Sequence, residues 1–181
     1  MKEIRIHARA GQGAITVANL LGAAAVAEGM YALSFPHFGA ARMGAPMNAF
    51  VRVSDKPIRL RCQIYEPDCL IVVDPTLLIG YDVFAGLKPG GIAVVNRPSA
   101  EGVKAPAGAK VVCVPATEIA TEVIGRPFAN TTLLGAFAAA TGLISLAAVE
   151  KVIAEHFEER LAKTNAEAAR RGYQFVKAHQ K

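Results

Sequence analysis

The chain has 181 residues, 52% of them hydrophobic and 19% charged, with a formal net charge of +5. This length suits one domain over residues 1–181 and is too short for two ordinary domains, and the high apolar content indicates extensive burial within the fold or against other subunits. The cations are scattered from Lys2 to Lys181 without a basic run interleaved with aromatic residues, which argues against nucleic-acid binding.

The first unit is a strand, a glycine turn and a helix. Residues 4–7 alternate apolar and polar side chains, the turn Gly11-Gln12-Gly13 follows, and residues 15–27 form an apolar run rich in helix formers that includes Thr16. Glycine permits positive φ and close approach to the backbone, and the start of the helix offers unpaired N–H groups. The turn therefore suits an anion or a polar group of a neighbouring chain.

The second unusual segment spans residues 35–46 and shows little helical or strand periodicity, so we predict a shaped loop. It combines prolines, glycines and apolar side chains with one cation, and its candidate functional residues are Phe35, Pro36, Gly39, Arg42, Gly44 and Pro46. Arg42 is the best single candidate for a functional charge, because its planar guanidinium suits a carboxylate or phosphate. The alternative is a simple connection in which Phe35 fills the core.

Further along the chain, residues 47–53 and 58–61 alternate across the turn at 54–57, which predicts an antiparallel hairpin. Short apolar runs at 69–73, 92–95 and 111–114 predict central strands. Helices are predicted over 117–124, from 131 to a break near Gly142, and from Leu146, with Ser145 as N-cap, toward residue 178. The fold class is α/β: a three-layer, Rossmann-like domain with a mostly parallel, mixed sheet.

No catalytic constellation or metal site is predicted in this chain. Ala8 and Ala10 break the glycine pattern of a dinucleotide-binding turn, the four histidines lack metal-ligand spacing, and Asp74, directly after the apolar run 69–73, is most simply a helix or turn cap. The three cysteines, Cys62, Cys69 and Cys113, lack the spacing of zinc or iron–sulfur ligands. Without a signal-peptide pattern, we expect a cytoplasmic protein with no membrane segment, the uncharged stretch 127–149 being buried helix.

The same residues resemble the gamma subunit of the thiamine-diphosphate-dependent 2-oxoacid:acceptor (ferredoxin) oxidoreductases, of the pyruvate, ketoisovalerate or phenylglyoxylate type. The resemblance covers nearly the whole chain. It is carried by residues 4–14, 35–46, 50–52, 66–68 and 74–78, by Asn130 with residues 134–136, and by the spacing of Asn165, Ala168 and Gly172. The family usually has glycines where Ala8 and Ala10 stand and a basic residue where Met43 stands.

The resemblance implies a subunit of an anaerobic, hetero-oligomeric enzyme that converts a 2-oxoacid to acyl-coenzyme A and CO₂ and passes electrons to ferredoxin or NAD. It implies alpha, beta (thiamine-binding) and delta (ferredoxin-like) partner subunits that hold thiamine diphosphate, Mg²⁺ and [4Fe–4S] clusters, with coenzyme A as co-substrate. Gly11, Gln12, Gly13 and Thr16 and the six candidates of residues 35–46 would then line a pocket or face those subunits. Two other functions stay open: a free-standing nucleotide-binding regulatory module, or a purely structural assembly subunit.

Overall fold

A computed structural model describes residues 1–37 and 42–179. The strands are β1 (Lys2–Arg9), β2 (Tyr31–His37), β3 (Pro46–Ser54), β4 (Cys69–Val72), β5 (Ile92–Asn96) and β6 (Lys110–Val114). The helices are α1 (Ala14–Ala27), α2 (Ala116–Ile124), α3 (Asn130–Thr141), α4 (Leu146–His156) and α5 (Glu159–His179), with a short 3₁₀ helix at Pro75–Leu78.

The six strands form one mixed sheet in the order β2-β3-β1-β4-β5-β6. Strands β1, β4, β5 and β6 are mutually parallel, whereas β3 runs antiparallel to both β1 and β2. The predicted α/β class and mixed, mostly parallel sheet are confirmed. The apolar runs predicted as strands at 69–73, 92–95 and 111–114 are β4, β5 and β6.

The predicted hairpin between residues 47–53 and 58–61 is wrong. β3 pairs with β1 on one side and with β2 on the other, where Phe35 lies opposite Phe50, so Phe35 and Pro36 belong to a strand and not to an irregular loop. Proline is tolerated there because β2 is an edge strand. Residues 58–61 lie outside the sheet, since the carbonyl oxygen of Leu60 bonds to the Arg52 guanidinium and not to a neighbouring strand.

All five α-helices contribute to the core on one face of the sheet. The predicted break lies at Gly142, which ends α3 in the left-handed conformation, and Ser145 caps α4 by accepting a hydrogen bond from the N–H of Ala148. The amphipathic run from Leu146 is two helices, α4 and α5, separated at Phe157. Within residues 1–37 and 42–179, no helix is both long and apolar enough to cross a bilayer.

Helices α3 and α5 touch backbone to backbone through two glycines. A Cβ at Gly135 would overlap the carbonyl oxygen of Ala169, and one at Gly172 would overlap that of Thr132. A buried hydrogen bond of 2.9 Å from Thr131 Oγ1 to Asn165 Oδ1 joins the same helices. The small residues that carry part of the family resemblance therefore serve packing.

The other face of the sheet is covered by the 3₁₀ helix and by irregular segments. Two buried arginines bind the backbone carbonyl oxygens of these irregular segments. Arg5 uses all five N–H donors: Nε bonds to Nε2 of His7 at 3.0 Å, and the remaining four bond to backbone carbonyl oxygens of Ile64, Tyr65, Val83 and Ala85. Arg52 pairs with Glu3 at 2.8 Å and also donates to the carbonyl oxygens of Leu60, Cys62 and Gln63.

The substitution Gly135→Ala tests the close helix contact. We expect it to lower the free energy of unfolding by roughly 1–3 kcal/mol, because the added methyl group forces α3 and α5 apart. Gly22→Ala in α1 is the matched control: its Cβ would meet neighbours only at 3.7 Å, so the better helix propensity should leave stability equal or up to about 1 kcal/mol higher. Equal effects in urea unfolding would contradict the account.

Candidate functional site

The candidate site lies where neighbouring strands β1 and β4 send their chains to opposite faces of the sheet. After β1 the chain enters α1 on the helical face, whereas after β4 it enters the 3₁₀ helix, whose Leu77 packs on the other face. Open α/β sheets bind ligands in the crevice at the carboxyl ends of such strands. A cavity of about 330 Å³ opens at this point, lined in part by Gln12, Asp74, Asn96 and Thr117.

The glycine turn after β1 is shaped by two left-handed residues. Gly11 has φ +99° and Gly13 has φ +80°, and Gly13 is the N-cap of α1. A Cβ on Gly13 would lie 2.6 Å from Asn130 Nδ2, and one on Gly11 would lie 2.7 Å from Met43 Cε. The close approach that glycine permits is therefore used here by side chains of the same protein.

Gln12 connects the ends of β1 and β4. Its Oε1 accepts a hydrogen bond from the backbone N–H of Arg9 at 2.8 Å, and its Nε2 donates to Asp74 Oδ2 at 2.7 Å. The amide oxygen of Gln12 thus binds the end of β1, and its amide nitrogen binds Asp74, just beyond β4. The Gln12 side chain is one of those that line the cavity.

Asp74 is buried at the centre of this network. Its carboxylate accepts hydrogen bonds from the N–H of Thr76 at 2.9 Å and from Gln12, and the Arg9 Nε lies 3.3 Å from Oδ2. Burial alone would raise the pKa of Asp74, but hydrogen bonds from the Thr76 hydroxyl at 2.6 Å, from Gln12 and from the Thr76 N–H, and then the charge of Arg9, outweigh it and hold the pKa below its usual value. The predicted turn cap is confirmed, and Asp74 is also an ionised link across the crevice.

Arg9 brings the two predicted segments together. Its guanidinium donates to Thr76 Oγ1 and, through Nη1, to the carbonyl oxygen of Gly44 at 3.1 Å. Backbone hydrogen bonds run beside it from Ala10 N–H to the Ala45 oxygen at 2.9 Å and from Gly44 N–H to the Ala10 oxygen at 3.1 Å. The glycine turn and residues 42–46 therefore form one continuous rim.

The structure brings some of the predicted site residues together at the rim and places others away from it. Gly11, Gln12, Gly13, Gly44 and Pro46 belong to the rim or pair beside it, and Arg42 is exposed at its end. Thr16 is half-buried in the first turn of α1, and Pro36 is exposed on β2. The Phe35 ring lies 5.3 Å from the ring of Phe50, so it packs against the sheet and not against the rim. Gly39 lies outside the described residues.

Sequence reasoning missed Arg9 and the link from Gln12 to Asp74. Asp74 stood out by its place after a strand, but the strand order that sets it beside Gln12, far away in the sequence, has no local signal. Arg9 could have been suspected as the cation that ends β1. In the part of the chain that the structure describes, no cluster of three or more His, Cys, Asp or Glu side chains is placed to hold a metal ion.

A second cavity, of about 470 Å³, lies beside the rim on the face of the sheet that carries the 3₁₀ helix. Arg5, His7 and Asn48 are among its lining residues, together with His37 and Tyr81. Burial, and then the charge of Arg5, lower the pKa of His7 to about 4, so its imidazole is neutral near pH 7 and its Nε2 accepts the hydrogen bond from Arg5. The cavity is thus built on the same arginine that holds the irregular segments.

Comparisons with known proteins agree over nearly the full chain. Residues 3–175 match the family model described as pyruvate ferredoxin/flavodoxin oxidoreductase. The chain is 50% identical to the pyruvate/ketoisovalerate oxidoreductases common subunit gamma of Thermococcus litoralis, over 96% of each chain, and 46% identical to the pyruvate synthase subunit PorC of Methanothermobacter thermautotrophicus, over 97% of this chain and 96% of that one.

Among solved structures, the crystal structure of pyruvate oxidoreductase subunit PORC from Thermotoga maritima superposes with a TM-score of 0.86 at 39% identity. The superposition covers 96% of this chain and 95% of that one. The likeness therefore extends over the whole fold and is not confined to a motif.

A double-mutant cycle on Gln12→Ala and Asp74→Ala tests the link across the crevice. We expect a coupling energy of about 1 kcal/mol or more in urea unfolding, because the two side chains share a charge-assisted hydrogen bond. In the control cycle, Gln12→Ala is paired with Asp55→Ala, an exposed carboxylate, and the effects should add. A coupling energy near zero in the first cycle would contradict the network.

The lowered pKa of His7 predicts that the free energy of unfolding depends on pH. Its pKa is about 4 in the folded chain against 6.5 when unperturbed, so the unfolded state binds more protons between these values and stability falls as the pH drops from 6.5 to 4. Between pH 7 and pH 4, wild type should lose on the order of 3 kcal/mol more than His7→Gln. The control His156→Gln, at an exposed site, should follow wild type. If the free energy of unfolding falls equally with pH in wild type and in His7→Gln, the lowered pKa of His7 is refuted.

Proposed function

The chain belongs to the pyruvate ferredoxin/flavodoxin oxidoreductase family, and we propose that it works there as the gamma subunit of a multi-subunit 2-oxoacid:acceptor oxidoreductase. The proposed reaction is the coenzyme-A-dependent oxidative decarboxylation of a 2-oxoacid to acyl-coenzyme A and CO₂. The observation that carries the proposal is the match in full length to subunits named gamma or PorC, and pyruvate is the first substrate to test because their names state it.

The proposal assigns the reactive cofactors to other chains. Thiamine diphosphate with Mg²⁺ supplies the decarboxylation chemistry, and [4Fe–4S] clusters carry the electrons to ferredoxin or NAD, all of them bound in alpha, beta and delta subunits of a cytoplasmic complex. The part of this chain is to shape one wall of the site and to hold the subunits together.

The rim is the surface we assign to that wall. It presents the Arg42 cation beside Met43, whose side chain is 83% exposed. Ile79, just past the 3₁₀ helix, is also 83% exposed. Its N–H donates to the carbonyl oxygen of Thr76, and the hydroxyl of Thr76 accepts a hydrogen bond from Arg9 of the rim. We assign these two exposed apolar side chains to the contact with the other subunits.

The rim also has the chemistry to meet an anionic co-substrate. Arg42 is exposed and Arg9 is half-exposed, and both are cations that suit the phosphate groups of coenzyme A. Asp74 already neutralises part of the Arg9 charge, which makes Arg42 the stronger candidate. The glycine turn itself is less suited to a phosphate, because Asn130 and Met43 fill the space beside its glycines. That occupancy also argues against a free-standing nucleotide-binding module.

The proposal is tested by purifying the tagged chain from its native host. We expect co-purification of a thiamine-binding subunit and iron–sulfur proteins, with acceptor reduction that requires both coenzyme A and a 2-oxoacid. Assays with pyruvate and with branched-chain, aryl and indole 2-oxoacids would name the substrate. A clean monomer without this activity would overturn the proposal.

Arg42→Ala separates a pocket role from a scaffold role. We expect the complex to assemble normally and the KM for coenzyme A to rise by roughly tenfold, the size of one lost charge-assisted hydrogen bond. Lys151→Ala, an exposed cation on α4, is the control and should leave this KM unchanged. Loss of assembly in Arg42→Ala, with wild-type kinetics in any residual complex, would assign Arg42 to the scaffold instead.

A further inference from the structure

The hydroxyl group of Thr76, in the 3₁₀ helix, connects the carboxylate of Asp74 to the guanidinium of Arg9. It donates a hydrogen bond to Asp74 Oδ1 at 2.6 Å and accepts two from Arg9, from Nε at 3.2 Å and from Nη2 at 3.0 Å. A hydroxyl has one proton to donate, and Asp74 receives it, so the Thr76 oxygen presents its acceptor side to the arginine. The three side chains therefore form a chain of hydrogen bonds from the end of β4 to the end of β1.

The third nitrogen of the same guanidinium binds the rim. Arg9 Nη1 donates to the carbonyl oxygen of Gly44 at 3.1 Å. Because a guanidinium group is planar and rigid, the edge that Thr76 holds fixes the direction in which Nη1 points. The position of the Gly44 carbonyl is thus set from the side of Thr76 and Asp74.

Gly44 belongs to a tight turn whose first residue is Arg42. The N–H of Ala45 donates to the carbonyl oxygen of Arg42 at 3.1 Å, and Gly44 has φ +77°. These are the hydrogen bond and the glycine position of a β-turn with a left-handed third residue. Holding the Gly44 carbonyl therefore holds the backbone from which the exposed Arg42 side chain starts.

We propose that Thr76 is a positioning residue that acts through Arg9 on this turn and so sets the direction of Arg42. The inference rests on the proposed function, in which Arg42 meets the phosphate groups of coenzyme A. Thr76 carries no charge, and its hydroxyl is engaged by Asp74 and Arg9, so its effect on an anion is exerted through Arg42. A cation that is held in advance loses less conformational freedom when its anion binds.

The test compares Thr76→Val, which removes the hydroxyl at nearly constant volume, with Thr76→Ser, which keeps it. Both are assayed in the complete complex with pyruvate and coenzyme A. We expect the KM for coenzyme A to rise about fivefold in Thr76→Val and to stay near the wild-type value in Thr76→Ser, with the effect on KM and not on kcat.

Arg9→Lys separates position from charge. It keeps the positive charge, but an ammonium group lacks the planar fork that bridges Thr76 and Gly44. We therefore expect Arg9→Lys to raise the KM for coenzyme A as much as Thr76→Val does. A wild-type KM in Arg9→Lys would mean that Arg9 acts by its charge alone, which contradicts the inference.

The double variant Thr76→Val/Arg42→Ala decides whether Thr76 acts through Arg42. If it does, the KM of the double variant equals that of Arg42→Ala, whereas independent effects on the KM would multiply. Thr121→Val, which removes the hydroxyl of an exposed threonine on α2, is the control and should keep the wild-type KM.

Four other outcomes would overturn the inference: an unchanged KM in Thr76→Val, an equal rise in Thr76→Ser, multiplied effects in the double variant, or loss of assembly in both Thr76→Val and Arg9→Lys. The failure of the proposed function looks different. In that case the wild-type complex shows no activity that depends on coenzyme A, or Arg42→Ala alone keeps the wild-type KM, and the inference fails with it.

Discussion

Two buried arginines replace a helical layer on one face of the sheet. Arg5 and Arg52 extend from β1 and β3, and their guanidinium groups bind the backbone carbonyls of segments that have no partner in the sheet. An apolar side chain at either position would leave those carbonyls unsatisfied, and a buried polar group without a partner costs roughly 1–3 kcal/mol. These contacts fix the course of residues 60–65, and Arg5 also lines the second cavity beside His7.

The opposite face of the sheet is covered by α-helices, which are held by apolar packing and not by buried arginines. Helices pack there through small residues, and Gly135 and Gly172 let α3 and α5 meet at backbone distance. The two faces meet at the end of β1, where Gln12 and Arg9 reach Asp74 from the side of α1 and the 3₁₀ helix starts on the other side. A helical layer and a loop-rich layer are thus joined at the candidate site.

Local patterns predicted much of this fold. The apolar runs of β4, β5 and β6, the N-cap at Ser145 and the break at Gly142 each have a signal within a few residues. The hairpin prediction was wrong because the alternating pattern at 58–61 is equally compatible with an irregular segment bound by the Arg52 side chain. The edge strand β2 was missed because it contains Pro36, a residue that usually argues against a strand. The site was found as two separate motifs, but their union through Arg9 depends on strand order, which no local pattern encodes.

The central claim is that the glycine turn and residues 42–46 form one rim that faces the catalytic subunits. The most direct measurement is an electron cryo-microscopy structure of the assembled complex, purified in active form with coenzyme A bound. The account predicts that Gly11, Gln12 and Arg42 are buried against the thiamine-binding subunit, with Arg42 directed toward the coenzyme. An active complex in which both segments point into solvent would contradict it.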